Sequence, residues 1–211
     1  ADEADKSVSI VKAEADKNAS VSGETYIGGI VGSSSGGSFG STVTASGAVK
    51  LNSAASGASY VGGIVGSMST ATLSGASSDS AISAAASSST RYIGGIAGNM
   101  YNVTLNSSNT NSAITTDAAS GDLYVGGIVG QVTGNRSMNS DTASGSITVT
   151  GTPTKNTFVG GAIGEESVSK DTAFTGLTTT VAINGEFAKG STAVDCPSGY
   201  ENVGKFVGKV N

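Results

Sequence analysis

Few side chains in this 211-residue sequence have the types and spacing that chemistry requires. A Gly-x-Ser-x-Gly pattern at Gly32-Ser33-Ser34-Ser35-Gly36 has the outline of a hydrolase nucleophile elbow. That chemistry needs a base to take the serine proton, and the sequence contains no histidine. The same absence removes His-dependent nucleophiles and imidazole metal sites. Gly199-Tyr-Glu-Asn-Val-Gly204-Lys205-Phe206 falls one residue short of a phosphate-binding loop, since Phe206 stands where a hydroxyl must hold magnesium. Glu165 and Glu166 could offer carboxylates to Ca²⁺ or to glycoside cleavage. Adjacent strand residues point to opposite faces, however, and the pair reads as a solvated turn after an apolar motif. Cys196 is the single cysteine and cannot close an internal disulfide. The expectation is therefore a chain that is not an enzyme, with no catalytic residue, no cofactor and no metal site.

What does recur at fixed spacing is aromatic. Tyr26, Tyr60, Tyr92, Tyr124 and Phe158 each open a copy of one motif: YIGGIVG, YVGGIVG, YIGGIAG, YVGGIVG and FVGGAIG. A degraded sixth copy, NVGKFVG, begins at Asn202. The steps are 34, 32, 32 and 34 residues, then 44. Stacked at about 4.8 Å, the five rings would form a stripe. Such a stripe either shields the start of each Gly-Gly strand or holds the flat faces of sugars.

The elements that must position these rings follow from composition and period. Gly, Ser and Thr make up 90 residues (32, 35 and 23), yet 37% of the chain is hydrophobic and only 13% charged, unlike a disordered linker. Between anchors lie short Thr- and Val-containing runs broken by Gly, Asn and Ser, such as SFGSTVTASGAVKLN and SMNSDTASGSITVTG. These favour strands and turns over helices. Each period is read as one coil of a right-handed, single-stranded β-solenoid with five to six coils and three strands per coil. Ile27, Val61, Ile93, Val125 and Val159 make one apolar ladder. Ile30, Ile64, Ile96 and Ile128 make a second, which Ala162 breaks. The two lie three positions apart and cannot share one face without a bend at the Gly-Gly pair. A row of small hydroxyls is read at Thr42/Thr44, Ala76/Ser78, Ser108/Thr110 and Ser140/Thr142.

Charge divides the chain. Residues 1–25 hold nine charged groups and residues 151–211 hold eleven, whereas the 125 residues between hold seven. Charged ends suit the open edges of a stacked rod. Residues 1–25 are thus an N-terminal cap or partial coil, 26–184 the repeats, and 185–211 a C-terminal cap with the sixth copy. The net charge of −5 lacks a nucleic-acid footprint, and no apolar run is long enough to span a bilayer. The opening ADEADKSVSIV has no apolar signal core, and reads as a mature end or a domain cut.

The anchors, followed by small-residue segments such as Thr42–Val49 (TVTASGAV) and Asp141–Ile147 (DTASGSI), resemble the GLUG-motif repeats of bacterial surface proteins. The resemblance covers about residues 26–185, although Ser78–Ile82 and Thr110–Ile114 lack the glycine of that second segment. It implies a scaffold β-solenoid in secreted or cell-surface proteins, including adhesins and large surface proteases. The expected function is a non-catalytic module, an adhesin or stalk, whose partners are glycans or host or cell-surface proteins. Two alternatives stand beside it: a substrate-positioning domain of a surface protease or glycosidase, and an ice-binding solenoid face built on the hydroxyl row.

Overall fold

Paired glycines, short β-branched runs and frequent small turn residues leave no segment suited to a helix, and the chain folds as an all-β solenoid of about five turns. The computed structural model describes residues 9–52, 57–117, 121–134, 137–151, 155–167, 173–185 and 207–210. Every turn visits four parallel sheets in the same order. The first holds Tyr26–Gly28, Ser59–Gly62, Arg91–Gly94, Leu123–Gly126 and Thr157–Gly160. The second holds Val31–Ser35, Val65–Ser69, Ala97–Tyr101, Val129–Thr133, Ile163–Ser167 and Val207–Val210. A third sheet of ten strands folds into two arms, and a fourth runs from Ser20–Gly23 to Ala182–Gly185. A full turn such as 59–84 therefore has five short strands, where the sequence suggested three.

The extra strands arise because each anchor motif is cut in two. In the second turn Tyr60-Val61-Gly62 ends a first-sheet strand, Gly63-Ile64 bend, and Val65 opens a second-sheet strand. A Cβ on Gly62 would lie 2.6 Å from the Ala97 Cα of the next turn, and one on Gly63 would collide with the Gly95 carbonyl. Only glycine admits so close an approach.

The bend sends the two apolar ladders into different cores. Ile27, Val61, Ile93, Val125 and Val159 pack with Val49, Leu51, Ile82, Ile114 and Ile147 between the first and fourth sheets. Ile64, Ile96, Ile128 and Ala162 join Met68, Met100, Leu73 and Leu105 between the second and third sheets. Each buried aliphatic side chain contributes roughly 1.5–3 kcal/mol. At the N-terminal end, Ser9–Ala15 and Ser20–Gly23 pair with the first turn as a partial coil.

The small-residue segments of the third sheet lie between the two cores. In parallel register Ala45, Ser78, Thr110, Ala143 and Thr179 form one column. The second glycine of each anchor packs directly on it: Gly29 on Ala45, Gly63 on Ser78, Gly95 on Thr110 and Gly127 on Ala143. Where the column carries Ala, the residue two further on is glycine, Gly47 or Gly145. Where it carries Ser78 or Thr110, that residue is Ser80 or Ser112; in the fifth turn Thr179 is followed by Val181, and the Thr179 hydroxyl itself donates to the Gly161 carbonyl at 2.9 Å. Ser80 Oγ donates to the Gly63 carbonyl at 3.4 Å. Ser112 Oγ likewise reaches the Gly95 carbonyl at 3.4 Å and accepts from Thr110 Oγ1 at 3.0 Å. The missing glycines are thus replaced by buried hydroxyls that satisfy anchor carbonyls, and the turn survives.

Candidate functional site

The aromatic residues form a single continuous stack on the outside of the first sheet. Strand alternation turns Val61 inward and its neighbour Tyr60 outward, and the register places Tyr26, Tyr60, Tyr92, Tyr124 and Phe158 in line. Ring centroids are 5.3, 5.3, 4.9 and 5.3 Å apart, with planes within 15° of parallel. That geometry changes what the stripe can offer. Tyr60, Tyr92 and Tyr124 have both faces covered by neighbouring rings, so the interior of the stripe presents edges and hydroxyls to a ligand, not flat sugar platforms. Exposure also falls along the stack, from 51% at Tyr26 to 6% at Tyr124.

A second column runs beside the rings. From the second turn on, the last glycine of each anchor lies over the aromatic strand of the preceding turn: a Cβ on Gly98 would stand 2.7 Å from the Tyr60 carbonyl carbon. The next residue outward is Ser33, Ser67, Asn99, Gln131 or Glu165 in successive turns. These form their own ladder, with Asn99 Nδ2 donating to Ser67 Oγ at 3.2 Å and Gln131 Nε2 to Glu165 Oε2 at 2.9 Å. The two columns feel each other. Burial raises the Tyr92 phenol well above its ordinary range, and the Glu165 charge adds to that; burial and then Tyr26 raise Tyr60. The corner between the first and second sheets is therefore lined by ring edges and phenols on one side and by hydroxyl, amide and carboxylate groups on the other.

Glu165 and Glu166 do not sit in a solvated turn. They lie on the strand Ile163–Ser167, 4% and 7% exposed. Their side chains do point to opposite faces: Glu165 follows Gln131 on the outside, and Glu166 follows Met68, Met100 and Val132 on the inside. They flank no common bond. Ser33 to Ser35 lie on the regular strand Val31–Ser35, with Ser34 Oγ donating to the Gly36 carbonyl, so no nucleophile elbow exists there.

The small hydroxyls do not form the single outer row expected. Ser78 pairs with Ala45 and not with Thr44, so the row splits into two columns of opposite facing. Thr44 is exposed, whereas Ala76, Ser78, Ser108 and Thr110 are buried. The surface on which the ice-binding reading was built is thus partly core.

Two buried charged groups were not singled out from the sequence. Arg91 occupies the inward column of Ser59, Leu123 and Thr157 and is fully buried. Its Nη1 donates to the carbonyls of Ala85 and Asp117, and burial lowers its affinity for a proton while Asp117 opposes that shift. Asp141 is also fully buried. A charge in a repeat position otherwise held by uncharged aliphatic or hydroxyl side chains is the signal that could have found both. Cys196, Gly199–Phe206, the sixth anchor as far as Phe206 and most of the expected C-terminal cap lie outside the described residues.

No protein-family model matches the chain, and neither the curated proteins nor the solved structures contain a significant match.

Proposed function

We propose that this chain is a non-catalytic β-solenoid module of a secreted or surface-anchored protein, an adhesin or stalk segment that binds glycans along its aromatic corner. The observation that carries this reading is the unbroken five-ring stripe with a polar ladder beside it. Phenols, side-chain amides and serine hydroxyls both donate and accept hydrogen bonds, which matches the hydroxyl-rich edge of a saccharide chain. Repeated every turn, weak contacts of about 1 kcal/mol each add along an extended ligand. Binding of this kind calls for no proton transfer and no nucleophile. The test is a glycan array probed with the native chain and with a Tyr60/Tyr92/Tyr124→Ala variant. An Asn99→Ala/Gln131→Ala variant, which leaves the ring stack intact, serves as a second probe. Loss of the same glycans in both supports the reading; unchanged binding in both removes it.

A further inference from the structure

We propose that Asp141 is a built-in pH sensor, whose ionisation loosens the solenoid between its third and fifth turns. The position is a core position. One residue before the paired series Thr44, Ser77, Asn109, Thr142 and Thr178, the register aligns Val43, Ala76, Ser108, Asp141 and Leu177. All five are buried, and Val43, Ala76 and Leu177 belong to the cluster between the second and third sheets. A carboxyl in that column has no access to water.

Its hydrogen bonds are only half made. Asp141 Oδ1 accepts the Ser108 N–H at 2.8 Å, tying the fourth turn to the third. Asp141 Oδ2 is buried with no partner. The Asp141 carbonyl in turn accepts the Thr178 N–H at 2.9 Å, so the same residue also holds the fifth turn. An unpaired oxygen is tolerable on a neutral carboxyl and costly on an ionised one. Among the described residues no cation is placed to offset the charge. The strands around the site, Thr104–Asn106, Asn109–Thr110, Ser137–Asn139, Thr142–Ala143 and Thr178–Thr179, carry no ionisable side chain. Across the core, the second sheet turns one ionisable group inward, Glu166, and it is another carboxyl.

The direction follows from this setting. Burial pushes the Asp141 carboxyl up to about 7, and the backbone amides of Ser108 and Asn139 oppose that shift without cancelling it. The unfolded chain ionises near 4. A carboxyl raised in the folded state binds its proton more tightly there than when unfolded, so its effect is stabilising at low pH. Stability therefore declines as pH rises from about 4 to about 7, and the full penalty persists above that. This is the reverse of the usual salt-bridged carboxylate. The described neighbours of the sensor are Ser108, Thr142 and Thr178, on the side of the rod away from the aromatic corner.

The test compares thermal unfolding of the native chain and Asp141→Asn at intervals from pH 4 to pH 8. The difference between the two curves cancels the other carboxylates. The expected result is that the native melting temperature falls relative to the variant across this range by several degrees, with the gap closed near pH 4. Hydrogen exchange, corrected for its intrinsic pH dependence, should show protection lost at Ser108, Thr142 and Thr178 by pH 8 while Val61 and Ile93 stay protected. Asp141→Ser, which copies the third turn, repeats the experiment if Asn is not accommodated. Parallel melting curves, uniform loss of protection, or failure of both variants to fold at every pH would each overturn the proposal.

Discussion

Two columns run the length of the same rod and obey different rules. The aromatic column keeps one residue type through five turns, with Phe158 the single departure. The inner column of Ala45, Ser78, Thr110, Ala143 and Thr179 changes from turn to turn. A ring needs a ring above and below it, because an edge or a gap would uncover its faces. The inner column needs only that a small volume be filled and the anchor carbonyl beside it be tolerated. Ala with Gly two residues later, or Ser or Thr with Ser, meets that need equally. The lesson is that a solenoid fixes residue type where side chains stack on their own copies, and allows paired exchange where each turn can satisfy itself.

The largest effect should come from the glycines that pack on the backbone of the aromatic strands. Gly98→Ala would drive its Cβ into the backbone of Tyr60 and Val61. Chemical denaturation should register a loss of about 3 kcal/mol or more, or no folded protein. Breaking the stack itself should cost less. Tyr92→Ala leaves Tyr60 and Tyr124 facing a gap and should lose about 2–3 kcal/mol, whereas Tyr92→Phe should stay within about 1 kcal/mol.

The inner column predicts rescue. Ser112→Ala removes a hydroxyl that serves Thr110, Ser78 and the Gly95 carbonyl, and should cost about 1–2 kcal/mol. Changing the third turn to the pattern of the first and fourth, Thr110→Ala with Ser112→Gly, should recover most of it. No such paired rescue is available in the aromatic column.

Titration separates the two columns as well. A phenol raised in the folded state favours the protonated chain, so stability is kept below the ordinary tyrosine range and falls above about pH 10. Tyrosinate absorbance should show the Tyr60 and Tyr92 protons retained until the chain unfolds. Titration of Tyr60 and Tyr92 before the chain unfolds would contradict the buried stack. The smallest effect concerns a corner. Thr70 sits at φ 49°, where the next turns have Asn102 and Gly134. Thr70→Asn should stabilise by about 0.5–1 kcal/mol in the same denaturation assay.

The anchors and their bend were legible because Tyr, Gly-Gly and the apolar pair recur at near-constant spacing. The β-solenoid followed from them. Less legible was the register of what lies between. The continuous strand Ser38–Ala45 has five steps from Phe39 to Thr44, but the second turn has four from Leu73 to Ser77, with Gly75 in the left-handed region between. One residue added in a strand or corner leaves the anchor period nearly unchanged and moves every following side chain to the other face. That is why Thr44 and Ser78 looked equivalent and are not. The polar ladder beside the rings was invisible for a related reason. Ser33, Ser67, Asn99, Gln131 and Glu165 share a position but not a chemistry, and only the stacked turns reveal them as a column.

The most direct test of the aromatic corner as the ligand face is a binding isotherm on the strongest glycan of the array, for the native chain and for Asn99→Ala/Gln131→Ala. Both side chains point outward beside the rings and each gives up one ladder hydrogen bond, so the variant should stay folded and melt a few degrees below the native chain. The account predicts affinity weakened about tenfold, the equivalent of about 1.4 kcal/mol, when both proteins are compared well below their melting temperatures. Equal affinity in the two proteins would place the ligand face elsewhere on the rod.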